Sequence, residues 1–268
     1  MKTKENPFDA KIHVPTSRNE LLAQTLDAIN NNQEITTLWH VINVNAMDRM
    51  GITDHGPVHF QIAANIALKL CRLLIKNDIP MSITVDYQLS TDHAEVVVLL
   101  ASILHDLGMS INRTQHEEFS LFLTNTLLRE TLDFLPTIER TIVIAETLHA
   151  IISHRSDGRP LTLEAGIVRV ADALDMSKGR SRIPYEAGEV NIHSVSAAAI
   201  DNIEIEEGEK KPIQINILMN NSAGLFQVDE LLKNKILGSG LEPYIDVNAY
   251  IDRKKEKNLL KTFSIKGL

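Results

Sequence analysis

Ala94-Glu95-Val96-Val97-Val98-Leu99-Leu100-Ala101-Ser102-Ile103-Leu104-His105-Asp106-Leu107-Gly108 is the stretch on which the fold turns. Its apolar run ends in an adjacent imidazole and carboxylate. Gly108 is a plausible helix-terminating residue, which would put the pair in the last turn of a buried helix. Burying such groups is costly unless they are paired or bind a metal. At a helix C-terminus, moreover, the dipole and the unpaired carbonyls favour a cation. The pair reads as part of a metal site.

Outward from that helix, the pattern stays helical for the first two thirds of the chain. Asn19–Ile29 and Glu34–Met50 carry apolar residues at helical spacing, and Gly51 stops the second. Thr53-Asp54-His55-Gly56 reads as a loop, and Pro57 suits the first position of a helix running to about Lys76. Ile62, Ile66, Leu70 and Leu73 mark the expected buried stripe of that helix. Asp92 with Glu95, and Thr114 with Glu117, have capping-box spacing. Two further helices are expected over Pro136–His154 and Thr162–Asp175, joined by Arg155-Ser156-Asp157-Gly158-Arg159-Pro160.

After Pro184 the period changes. Ile203–Glu206 and Ile213–Ile217 alternate at strand spacing around a Glu207-Gly208-Glu209-Lys210 turn. Phe226–Ile236 reads as a short amphipathic helix and Tyr244–Ile251 as a third strand. The expected architecture is mainly α: a helical bundle over about 15–190, then a small α+β module over about 200–265.

Composition narrows the function. The chain has 268 residues, 44% of them hydrophobic and 23% charged, as in an ordinary globular protein. A net charge of −8 argues against nucleic acid as a partner, and the C-terminal segment has no basic stripe with aromatics. The one cysteine, Cys71, lies in an apolar-periodic segment and reads as a core thiol. Residues 1–15 lack a signal-peptide core, and the run Val96–Leu104 is too short to span a bilayer. The expected compartment is the cytoplasm, with no membrane partner.

Of ten histidines, those near helix ends matter most. His59 opens a helix, His105-Asp106 close one, His116 begins another, His154 ends the next, and Asp172 lies near the end of the last. Bundles build metal sites from such side chains converging from several helices. His13, His40, His93 and His193 read as satisfied or exposed residues. His149 is five residues before His154, about 140° away around the helix, and does not share its face. Asp175, three residues after Asp172, reads as a ligand's hydrogen-bond acceptor or a salt-bridge partner.

His59, then Leu104-His105-Asp106-Leu107-Gly108, then Val170-Ala171-Asp172-Ala173-Leu174-Asp175 resembles the H…HD…D signature of the HD-domain metal-dependent phosphohydrolases, over about residues 53–185. His116 and the turn His154 to Pro160 are similar to the extra histidines of the HD-GYP and related binuclear phosphodiesterases. No Gly-Tyr-Pro follows Asp157-Gly158, which sets the chain apart from HD-GYP itself and from cyclic di-GMP as substrate.

The resemblance implies a first divalent metal on His59, His105, Asp106 and Asp172. Asp106 would bridge to a second metal on His116 and His154, and His105 and Asp106 would be central to catalysis. Imidazoles with carboxylates suit Fe, Mn, Co, Ni or Zn. Water activated to hydroxide by the metal would attack phosphorus in line. Arg113, Lys178, Arg180 and Arg182 are the candidate substrate-binding cations, with Arg155 and Arg159 behind them. The function expected is hydrolysis of a phosphate ester or phosphodiester of a nucleotide-like small molecule. The alternatives are a non-catalytic metal or nucleotide sensor and a di-iron oxygenase of the same superfamily. The C-terminal module is expected to serve homo-oligomerisation through an edge strand, or ligand sensing.

Overall fold

In the computed structural model, which describes residues 8–155, 157–176 and 192–251, helices take up the described residues up to Ala198. They are α1 (Glu20–Asn31), α2 (Gln33–Asn43), α3 (Pro57–Lys76), α4 (Ser82–Tyr87), α5 (Thr91–Leu104), α6 (His116–Thr131), α7 (Thr137–Ser153), α8 (Leu163–Leu174) and α9 (Ile192–Ala198). A π-helical turn, Val44–Arg49, prolongs α2, and Gly51 follows in the left-handed region at φ 66°.

The apolar run forms α5 because it has no polar face to leave in water. Every residue from Val96 to Leu104 is buried, and α1, α3, α4, α7 and α8 pack around it. Full burial of one such Leu or Val stabilises the fold by roughly 1.5–3 kcal/mol. By length and composition the segments Pro57–Lys76 and Thr91–Ser110 are long and apolar enough to cross a membrane. In the fold the first is half buried and the second largely so, as core helices are.

Local details depart from the sequence reading. The buried face of α3 runs through Phe60, Ala63, Ala64, Ala67, Leu70, Cys71 and Leu74, not the expected stripe. Of Ile62, Ile66, Leu70 and Leu73, only Leu70 is buried. Alanines at the contact let α3 approach α5 and α8 closely, which the bulkier isoleucines would prevent. Neither expected capping box forms, since Ser90 and Gln115 are the N-cap residues of α5 and α6. Glu95 instead accepts two hydrogen bonds from Arg72, at 2.8 Å each, and one from Asn19. A charge-assisted pair to a guanidinium outcompetes a cap.

Gly108 is not a left-handed helix stop either. α5 ends at Leu104, His105 caps it, and a 3-10 turn, Leu107–Ser110, follows Asp106. Gly108 serves close packing: a Cβ there would lie 1.9 Å from the His116 carbonyl oxygen.

The C-terminal part holds β1 (Ile200–Glu207), β2 (Ile213–Met219) and β3 (Ile245–Ile251), in the order β1-β2-β3. β1 and β2 form the expected antiparallel hairpin, with Ile205 opposite Ile215, while β3 runs parallel to β2 with Val247 opposite Ile215. A crossover places β3 parallel. It contains a π-helical turn, Gln227–Leu232, leading into α10 (Lys233–Ile236). Ile213, Ile215, Ile217 and Met219 face inward and join one hydrophobic core with the helices. Residues 252–265 of the expected module, and 177–190 of the expected bundle, lie outside the described residues.

Candidate metal centre

The site is built where the ends of α5, α7 and α8 meet the starts of α3 and α6. Trp39 donates its indole N–H to the Ile103 carbonyl at 3.0 Å, and Asn45 holds the Met109 and Ser110 carbonyls. Ser120 accepts from the Gly108 N–H at 2.8 Å and donates to the His105 carbonyl at 2.6 Å. These bonds satisfy backbone groups that the abrupt end of α5 would otherwise leave unpaired.

Four of the histidines singled out by the sequence share one arrangement. His59 Nδ1 lies 2.6 Å from Asp175 Oδ2, His105 Nδ1 2.9 Å from the Ser102 carbonyl, and His116 Nδ1 2.8 Å from the Arg113 carbonyl. His154 Nδ1 lies 2.5 Å from the Ile151 carbonyl. Each acceptor fixes a hydrogen on Nδ1 and turns Nε2 towards the centre. An oriented imidazole with an acceptor behind it is the arrangement of a metal-ligating histidine.

The Nε2 atoms converge. Those of His59 and His105 are 3.1 Å apart, and Asp172 Oδ1 lies 3.5 and 3.8 Å from them. Asp106 divides its oxygens, with Oδ1 3.0 Å from His116 Nε2 and Oδ2 3.6 Å from His105 Nε2. Groups whose donor atoms lie within 4.8 Å of one another are His59-His105-Asp172, His105-Asp106-His154, His116-Glu117-His154 and His55-His59-Asp106. His59, His105, Asp106 and His154 are buried, and His116 and Asp172 are partly so. Two imidazole lone pairs facing each other at 3.1 Å repel unless a cation or proton lies between them. The donor set therefore fits a divalent transition metal.

Both carboxylates of the site are held ionised. Burial alone would raise the Asp106 carboxyl, yet His105 and hydrogen bonds to His116 and His55 hold it well below the usual carboxylate range. Asp172 is likewise held down against burial by Lys235, His105 and His59. Burial opposes protonation of His116, but its bond to Asp106 and that carboxylate's charge raise it to about 9. Burial, then His105 and Lys235, push His154 down to about 3. Neighbouring imidazoles with ring centroids 6.0 Å apart thus carry opposite preferences.

All six predicted ligands come together. Asp175 takes the outer role behind His59. His149 points elsewhere, accepting from the Leu161 N–H at 2.9 Å. Arg113 is exposed in the turn before α6, and Arg155 is paired with Glu117, Glu118 and Asp157. Lys178, Arg180 and Arg182 lie outside the described residues. Three contributors escaped the sequence reading. His55 Nδ1 lies 2.7 Å from Asp106 Oδ2, on a loop fixed by Asp54, which accepts from the Gly56 and His59 amides. Glu117 joins His116 and His154, and its adjacency to His116 was the available signal. Lys235, from α10, reaches Asp172 Oδ2 at 3.2 Å.

Comparison with known proteins follows the same residues. Residues 59–177 match the HD domain. Over 230 residues the chain is 40% identical to the uncharacterized protein MJ1020 of Methanocaldococcus jannaschii, a match covering 85% of this chain and 89% of that one. No solved structure matches.

Proposed function

The chain carries an HD domain over residues 59–177, the domain of the metal-dependent phosphohydrolase superfamily, and from that premise we propose that it hydrolyses a phosphate ester or phosphodiester of a nucleotide-like small molecule. The observation that carries this reading is the set of four histidines, each with an acceptor at Nδ1, whose Nε2 atoms gather around Asp106 and Asp172. His59, His105, Asp106 and Asp172 would hold one divalent metal. His116, His154 and the other oxygen of Asp106 would hold a second, with Glu117 beside them. When bound, such metals supply Lewis acidity and lower the pKa of water towards neutrality.

The chain's own residues supply the rest. Asp106, kept ionised by its histidine neighbours, presents an oxygen to each half of the site. His55, hydrogen-bonded to Asp106, is placed to exchange a proton at the edge of the site. Arg113, on the turn that opens α6, is an exposed cation for phosphoryl oxygens. The same reading assigns Lys178, Arg180 and Arg182 to the substrate.

The test is phosphate or phenolate release from p-nitrophenyl phosphate, bis-p-nitrophenyl phosphate and a panel of nucleotides, with the protein loaded in turn with Mn, Co, Ni, Zn and Fe. Metal-dependent release that Asp106→Ala abolishes is the expected result. Metal-loaded protein that turns over none of them, but binds nucleotides, would make it a sensor. Oxygen consumption by an iron-loaded form would make it an oxygenase.

A further inference from the structure

α10 has two lysines with different fates. Lys233 is exposed and pairs with Asp229 one turn earlier, an ordinary surface pair. Lys235 turns inward onto α8, leaving its side chain 16% exposed. Its ammonium donates to Asp172 Oδ2 at 3.2 Å and to the His154 carbonyl. Those two acceptors belong to opposite halves of the metal centre. Asp172 is thereby split, with Oδ2 on the lysine and Oδ1 on the side of His59 and His105.

The backbone that presents Lys235 is itself fastened. Arg169, one turn before Asp172 on α8, is buried. It donates to the Lys235 carbonyl at 2.9 Å and the Asn234 carbonyl at 3.0 Å. Its Nη1 donates to the Arg155 and Gly158 carbonyls, in the loop that leaves His154. One guanidinium thus binds α10 to both elements that carry the lysine's acceptors. A largely buried ammonium is costly unless it is paired, and here it meets a carboxylate and a backbone carbonyl.

We propose that Lys235 is a positioning residue of the metal centre, holding Asp172 with Oδ1 towards the histidine pair, so that the C-terminal module forms part of the centre. The proposal rests on the metal reading above. Carboxylates that ligate metals are themselves held by hydrogen bonds, and loss of such a partner typically weakens binding about 10- to 100-fold. Charge alone acts in the opposite sense: deleting a cation beside a cation site tightens binding. The two effects differ in sign, so the affinity separates them.

The experiment is titration of the full-length, chelator-stripped protein with Co2+, followed by its visible absorption, for the wild type, Lys235→Met, Lys235→Arg and Lys233→Met. Expected is a weakening of about tenfold or more for Lys235→Met, with an altered Co2+ spectrum. Partial recovery is expected for Lys235→Arg and no change for Lys233→Met. Binding by Lys235→Met as tight as wild type, or tighter, overturns the proposal and leaves the metal centre intact. A wild type that takes up no Co2+ overturns the metal centre itself. Should Lys235→Met fail to fold, hydrogen exchange of the wild type decides: Co2+ should slow exchange across 227–237, and no slowing overturns the proposal.

Discussion

His59 and His105 turn their Nε2 atoms towards each other at 3.1 Å while both Nδ1 protons are committed, one to Asp175 and one to the Ser102 carbonyl. Two Nε2 atoms at that distance repel unless a proton or a metal ion lies between them, and the carboxylates of Asp172 and Asp106 beside them supply the negative charge that a metal ion needs. Asp106 stands at the junction between this pair and His116. Asp106→Ala should therefore remove most of the bound metal, whereas His116→Ala should remove one equivalent of two. Elemental analysis of protein purified without chelator or a histidine tag measures both. Equal metal content in wild type and His116→Ala would refute the binuclear assignment.

Asp175 acts through His59. Its carboxylate lies 2.6 Å behind the ring and carries a charge that makes Nε2 a better donor. Asp175→Asn preserves the size of the side chain and removes that charge. The expected result is a metal affinity lower by about 10- to 100-fold with helical content unchanged. Parallel Co2+ titrations and circular dichroism check it. Loss of helix together with metal would mean that Asp175 mainly supports packing.

The approach of α6 to the turn after Asp106 leaves no room at Gly108, where a methyl group would meet the His116 carbonyl. Gly108→Ala must push α6 away, and His116 and Glu117 travel with it. A loss of roughly 1–3 kcal/mol is expected from overpacking. The second metal should be lost before the first, because His59, His105 and Asp172 lie on other helices. Urea denaturation and metal stoichiometry report the two effects separately.

Much of this was legible because it depended on one element at a time. The run Val96–Leu104 is apolar on every side, so α5 had to be buried and the polar pair at its end had to be explained. The alternation in Ile213–Ile217 fixed β2 for the same reason. What the sequence left hidden depended on partners distant in the chain. Glu95 forgoes a cap because Arg72 and Asn19 reach it from other helices. His55 lies in a loop without periodicity, and hydrogen bonds among Asn43, Asp54 and the His55 amide help to bring it to Asp106. Lys235 stands 63 residues beyond Asp172 in a different kind of structure, and no spacing rule joins them.

Glu164 offers a test of the fold outside the metal centre. It is fully buried near the start of α8, where Oε1 accepts from the Ile83 N–H at 3.0 Å. Oε2 has no hydrogen-bond partner among the described residues. Burial raises its pKa, and the charge of Glu146 adds to the rise. A carboxyl raised on folding binds its proton more tightly in the native state than in the unfolded chain. Stability therefore falls as pH rises from the ordinary glutamate value through the raised one, and the full penalty is present above it. Glu164→Gln keeps the acceptor for Ile83 and cannot ionise. It should be more stable than wild type by on the order of 1 kcal/mol at pH 8, with the advantage shrinking as pH falls towards the ordinary glutamate value. Urea midpoints of the two proteins across that range measure the difference. An advantage independent of pH, or one that grows in acid, would show that the Glu164 carboxyl does not carry this penalty.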